Sequence, residues 1–200
     1  LDANTTGGSN TAVGKDALGL NTTANNGVAV GRAALASNTT GASNTAIGKD
    51  ALTDNTTGTN NVAVGENALA NNTTAGENTA VGQIALEDVT TGNSNTAVGS
   101  DALKNITTGS SNVALGVDTL QALTTASNNT AIGNTAFDAV TTGSNNTGIG
   151  SAVGTNLTTG EQNTLIGSES GEDLTTGDNN TALGRLAGQS LTTGSNNILL

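Results

Sequence analysis

Two hundred residues carry a net charge of −11 and 28 glycines, with Phe137 as the only aromatic and no His, Cys, Pro, Met, Trp or Tyr. Without His and Cys the commonest general bases, nucleophiles and metal ligands are missing, so neither catalysis nor a metal centre nor a bound cofactor is expected. The acidic balance excludes a nucleic-acid-binding surface, and no apolar run is long enough to insert into a membrane.

Reading along the chain, Leu1-Asp2-Ala3 matches the end of a repeat unit, so the array is expected to continue beyond it. From Asn4 onward the chain consists of twelve copies of one 17-residue unit. Their Thr-Thr pair recurs from Thr5-Thr6, Thr22-Thr23 and Thr39-Thr40 to Thr192-Thr193 without one insertion or deletion. The consensus is (N/V/I/L)-T-T-(G/A)-x-x-N-T-A-(V/I/L)-G-x-x-A-L-x-x, and residues 1–200 form a single repeat array. Loss-free spacing is the informative feature. A stacked coil must place each side chain over its counterpart, and a slip of one residue turns a strand inside out. The expected fold is therefore all-β, a parallel β-solenoid with one coil per unit, each made of two short strands and two turns.

Within the unit, position one is Asn in the first five copies and then aliphatic, from Val89, Ile106 and Leu123 to Leu191. Leu at position fifteen later becomes Gly154, Gly171 and Gly188. This pairing suggests one large aliphatic moving between two internal corners at constant volume. The Gly or Ala after each Thr pair (Gly7, Ala24, Gly41) is expected to end one strand. Position seven is an Asn column (Asn44, Asn61, Asn78, Asn95, Asn112, Asn129, Asn146, Asn163, Asn180), interrupted once by Gly27, and is expected to bond coil to coil as a ladder.

Positions seven to ten, N-T-A-V, alternate faces. Position ten is always aliphatic, so it is expected to point inward, together with position eight, where Thr96 and Thr130 share a column with Val113. Position nine (Ala12, Ala29, Ala46, Ala63, Ala80, Ala97, Ala114, Ala131) would then face outward, and its persistent smallness suggests close packing of chain on chain. Position eleven is Gly in every unit that reaches it: Gly14, Gly31, Gly48, Gly65, Gly82, Gly99, Gly116, Gly133, Gly150, Gly167 and Gly184. A structural turn at positive φ, or a crowded backbone, explains it. Ala17-Leu18, Ala51-Leu52 and Ala102-Leu103 supply further inward contact. Each coil offers only two or three large aliphatics, worth roughly 2 kcal/mol each, so association of several chains is expected.

The motif N-T-A-V-G-x-x-A-L-x-x-N-T-T-G-x-x, as from Asn44 onward, resembles the tandem repeats of bacteriophage and bacterial tail fibres that often carry a self-cleaving endosialidase-type chaperone. It also resembles, with a longer unit, the S-V-A-I-G-x-x-A head repeats of YadA-like trimeric autotransporter adhesins. The resemblance covers the whole array. It implies a left-handed β-roll within a parallel homotrimer, and an extracellular, cell-surface or virion-tail location. The implied role is structural: a fibre shaft, of which these residues are a fragment, presenting a distal region to a host-surface receptor that a shaft does not specify.

Other motifs carry less. Gly14-Lys15 and Gly48-Lys49 lack the Gly five residues earlier that a phosphate loop needs, Ser9 and Ser43 standing there instead. Asp16, Asp50, Asp101 and Asp118 at position thirteen read as solvated turn carboxylates, without the calcium-binding nonapeptide signature. Asn-x-Thr sequons such as Asn4-Thr5-Thr6 and Asn55-Thr56-Thr57 read as Asn at turns or in ladders. The alternative function is an ice-binding solenoid. It needs two Thr columns on one flat face, whereas adjacent residues such as Thr124-Thr125 point to opposite sides.

Overall fold

Each N-T-A-V run forms a strand at positions eight to ten, from β1 (Thr11–Val13) and β2 (Val28–Val30) to β12 (Ile198–Leu199), in a computed structural model that describes residues 1–200. The twelve strands form one parallel sheet in chain order, and no helix is present. Every strand pairs with its counterpart one repeat away, with Thr11 opposite Val28, Ala12 opposite Ala29 and Val13 opposite Val30. The chain is thus a parallel β-solenoid with one coil per unit. Coil 1 is residues 4–20, coil 5 is 72–88 and coil 12 begins at Leu191.

Only one strand forms per coil, not two. At the Thr pair, the N–H groups of Thr5 and Thr6 both donate to the Thr22 carbonyl, at 2.9 and 3.2 Å, and Thr5 Oγ1 donates to it as well at 2.9 Å. Donors that converge on one oxygen cannot alternate as a sheet ladder does. The same hydroxyl-to-carbonyl bond recurs down the rod to Thr175 and Thr192. Positions six, thirteen and fifteen take positive φ in every complete coil, which lets each unit close into a ring within one layer. Ser and Asn at position six suit that region. Leu18, Leu35, Leu52, Leu69, Leu86, Leu103 and Leu120 do not, yet hold φ between 49° and 53° while fully buried. A left-handed residue costs about 1–2 kcal/mol, and burying a leucine returns roughly that much.

The strand faces are the reverse of the sequence expectation. Ala29, Ala46, Ala63, Ala80, Ala97, Ala114 and Ala131 are completely buried, and Ala12 packs on the core at the first coil. Their smallness reflects a cramped interior facing the position-fifteen leucine, so the Ala column supplies no chain–chain packing. Positions eight and ten point outward. The core itself shows how tight this fit is. Where position fifteen grows to Phe137, position nine shrinks to Gly148, and a Cβ there would lie 2.5 Å from Phe137 Cε2. Where position fifteen is Gly171, Leu165 from position nine fills the space, 2.7 Å from where a Cβ would stand. The volume exchange runs between positions nine and fifteen, not one and fifteen. Position one is internal as expected: Val89, Ile106, Leu123, Val140, Leu157 and Leu174 are all fully buried.

Candidate functional site

Interior Asn ladders, one at position seven down the rod and one at position one in coils 1–5 only, hold the coils and free the outer wall for other uses. Along position seven each Asn Oδ1 accepts the backbone N–H of the next Asn, as Asn44 does from Asn61 at 2.9 Å and Asn95 from Asn112 at 3.0 Å. The amide Nδ2 then donates to a position-four carbonyl one coil on, as Asn95 does to Gly109 at 2.9 Å. Direct amide-to-amide bonds accompany most steps, such as Asn112 to Asn95 at 3.0 Å, but the side-chain-to-backbone bond is the link present at every step from Asn44 to Asn197. The amides from Asn44 to Asn163 are fully buried, and each would cost about 1–3 kcal/mol if left unpaired. Gly27 interrupts the column, and its N–H still donates to Asn10 Oδ1 at 2.8 Å.

Gly at position eleven is held by its neighbours above. Gly99 has φ 141°, and a Cβ there would collide with the carbonyl oxygen of Gly116. The same holds from Gly14 to Gly167. At Gly184 the φ of 133° remains, with only Ala187 Cβ nearby at 3.8 Å.

The surface that remains is divided by charge. All 16 acidic and 5 basic residues fall outside positions eight and ten. Yet these positions form an outward sheet face in which Val13, Ile47, Val81, Val98, Ile149 and Leu183 are exposed, Val13 by 58%. Thr or Val accompanies them at position eight in eleven of the twelve coils, with Ile198 in the last. Thr96 and Thr130, expected inside, are half-buried on this outer face. An aliphatic file that is open to water and never charged is the most distinctive surface of the molecule. Isolated exposed aliphatics are ordinary, and it is their alignment in one column that sets this face apart.

Charge lies on the flanks. From position twelve Arg32 Nη2 pairs with Asp50 at position thirteen, at 2.8 Å, and Lys49 Nζ pairs with Glu66 at 2.6 Å. The hydrogen bond to Glu66 raises the Lys49 pKa, assisted by Asp50. Asp101 pairs with Lys104, and Asp118 Oδ1 accepts from Gln121 Nε2, so the position-thirteen carboxylates serve as turn partners. No three acidic groups come together as a cation site. Asn55, of the Asn55-Thr56-Thr57 sequon, is locked inside the position-one ladder.

The second Thr of each pair, from Thr6 to Thr193, is exposed in every coil, while the first is mostly half-buried and bonded to the backbone. The outward file at position ten, absent from the sequence expectation, has a signal in the sequence all the same. Phe137 with Gly148, and Leu165 with Gly171, show that positions nine and fifteen share one space. Comparison of the chain with family models, with curated proteins and with solved structures gives no match in any of the three.

Proposed function

We propose that the chain is a shaft segment of an extracellular or virion fibre, in which three copies pack side by side through the sheet face of positions eight and ten. The observation that carries this reading is the uncharged aliphatic file that runs the full length of the rod. The resemblance of the repeat to tail-fibre and adhesin repeats points the same way and supports a cell-surface or virion-tail location. Magnitudes favour long arrays. Burying the exposed half of one position-ten side chain returns about 1 kcal/mol. One coil therefore cannot meet the roughly 4–15 kcal/mol cost of association, but twelve in register approach it. As a shaft, the array positions whatever lies at its end and has no chemistry of its own to perform.

Sedimentation equilibrium tests the reading. A trimer is expected, and Val81→Glu with Val98→Glu should convert it to a folded monomer, because both sites are open in the single chain. An intact array that sediments as a monomer at micromolar concentration refutes the proposal.

One observation favours ice binding as a second reading: the outward position-eight column is Thr in eight of the twelve coils, on a regular parallel sheet. The adjacent column is wholly aliphatic, which suits a protein partner better than water. A thermal hysteresis assay is expected to show none. Hysteresis that disappears when the position-eight threonines are replaced would replace the shaft reading.

A further inference from the structure

We infer that Asn26 is a self-modification site, where the chain loses a side-chain amide to the backbone nitrogen of Gly27 and gains aspartate or isoaspartate. The inference stands apart from how copies associate.

Asn26-Gly27 is the only Asn-Gly pair in the chain, and Gly27 is the one residue that interrupts the Asn column. Position six is Asn in five other coils, as Asn60, Asn128, Asn145, Asn179 and Asn196. All six are exposed and share one backbone, with φ between 57° and 63°. What differs is the next residue. The other five precede an Asn whose side chain is held in the position-seven ladder, as Asn129 is by the Gly143 carbonyl at 2.9 Å. Glycine has no Cβ to shield its nitrogen and moves more freely than any other residue. The side-chain hydrogen bonds of this turn fall on Asn25 and on Gly27 N–H, and the Asn26 amide is left free.

The step balances with water alone. Gly27 N gives up its proton and attacks Asn26 Cγ. The N–Cγ bond forms, the Cγ–Nδ2 bond breaks, and ammonia leaves carrying that proton. Water then opens the cyclic imide. Addition at Cγ gives aspartate, and addition at the backbone carbonyl carbon gives isoaspartate, in which the chain runs through Cβ and Cγ.

In the closed coil Gly27 N–H is held by Asn10 Oδ1 at 2.8 Å, and Asn26 N–H by the Gly8 carbonyl at 3.1 Å. The attack therefore requires local opening of coil 2. That corner is the least tied in the rod. Between coils 6 and 7, Asn93 N–H donates to Ser110 Oγ at 3.0 Å and Asn112 N–H to Asn95 Oδ1 at 3.0 Å. Between coils 2 and 3 both counterparts are missing. Ala42 has no side-chain acceptor for Asn25 N–H, and Gly27 has none for Asn44 N–H, although Asn44 is fully buried. Only Ser43 N–H to the Asn25 carbonyl and Val28 N–H to the Asn44 carbonyl remain there, both at 2.9 Å. Every other step keeps the position-seven bond. Isoaspartate would lengthen coil 2 by one backbone atom just before β2, and so loosen coils 1 and 2 in a fold ruled by register.

Incubating the purified array at mildly alkaline pH and mapping its peptides by mass spectrometry tests this, with enzymatic methylation of isoaspartate as a second readout. Asn26 should convert at least ~10-fold faster than any of the other five, through its unshielded neighbour and the missing hydrogen bonds together. Equal rates overturn the inference, as does an Asn26 that stays intact while a free peptide of residues 21–32 converts fully. Ala42→Ser supplies the acceptor that Ser110 gives Asn93, and leaves Asn26-Gly27 in place. It should slow conversion several-fold, and an unchanged rate refutes local opening as the route. Hydrogen exchange in the converted array should quicken in coils 1 and 2 alone. Exchange that is unchanged there refutes the loss of register.

Discussion

Coils 1–5 and coils 6–12 build one backbone from two different interiors. In the first region position one is Asn, and the amides stack. Asn38 Nδ2 donates to Asn21 Oδ1 at 3.3 Å, Asn55 to Asn38 at 2.8 Å and Asn72 to Asn55 at 2.7 Å, and each also donates to its own position-four carbonyl. In the second region the same corner is filled by Val89, Ile106 and Leu123, all fully buried. The polar ladder therefore stops at a defined point. Asn72 Oδ1 is buried with no donor, because Val89 stands where the next amide would be. Position sixteen changes one coil earlier, from Gly19, Ala36, Thr53 and Ala70 to Glu87, Lys104, Gln121 and Asp138. The lesson is that register, not core chemistry, defines this fold. Any side chain that matches the coil above and below is accepted, and the cost falls where unlike coils meet.

Changes of register should have the largest effect in either region. Removing one whole coil from either region, residues 55–71 or 140–156, should shorten the rod and keep a cooperative melt and β-type circular dichroism. A deletion one residue short of a coil, at either place, inverts the strand faces of every later coil relative to those before, and should abolish the fold. If that shorter deletion melts like the whole-coil one, register is not what holds the coils together.

Next in size is Gly99→Val, which forces a β-branched residue to φ 141° against the Gly116 carbonyl. A loss of about 3 kcal/mol or more is expected by denaturant unfolding, and Ser100→Val beside it should be close to neutral. Because every complete coil of both regions shares this glycine, Gly48→Val should cost as much. A large difference between the two would show that the regions differ in backbone as well as in filling.

A reciprocal pair sharpens the junction. Ile106→Asn places an amide between Val89 and Leu123, where its Oδ1 finds no donor. Val89→Asn places the same amide directly above Asn72, where its Nδ2 can donate to the orphaned Oδ1. Both lose apolar burial, so Val89→Asn should be the milder by about 1–2 kcal/mol. Equal costs would mean that the open acceptor at Asn72 has no energetic weight.

The repeat period, the coil count, the parallel stacking, the Gly turn and the Asn column are all legible in the sequence, because each is a constraint that returns unchanged in every unit. The faces of the strand are not. In a bare sequence residue type is the guide to inside and outside, and Val81 or Ile149 at position ten look like core. In a coil this narrow, however, Asn78 and Ala80 must be inside, the amide to serve turn carbonyls and the alanine to leave room for Leu86. What remains for the aliphatic column is the outer wall. The second strand expected at the Thr pair fails for a related reason. Thr-Thr has strand propensity, but the first Thr hydroxyl competes for the carbonyl that a ladder would use, as at Thr56 and Thr73.

The smallest expected effect concerns the polar file that coils 5–11 carry at position sixteen. Asp138 is half-buried there, and its Oδ1 has no hydrogen-bond partner. Burial raises its pKa above the ordinary 3.8, only partly opposed by the N–H groups of Ala139 and of Asp138 itself. The sign follows from linkage. A carboxyl whose folded pKa is raised favours the folded state most when protonated, and that contribution is lost as pH rises through the folded pKa. At neutral pH Asp138 is therefore a burden, reduced by the solvent that still reaches it. Asp138→Asn keeps the acceptor for those N–H groups and removes the charge. Its unfolding midpoint should exceed that of the parent at pH 7 by the equivalent of less than about 1 kcal/mol, and the two should converge below pH 3.8. A gap at Asp138 that widens as the pH is lowered would show that burial at position sixteen is not its origin.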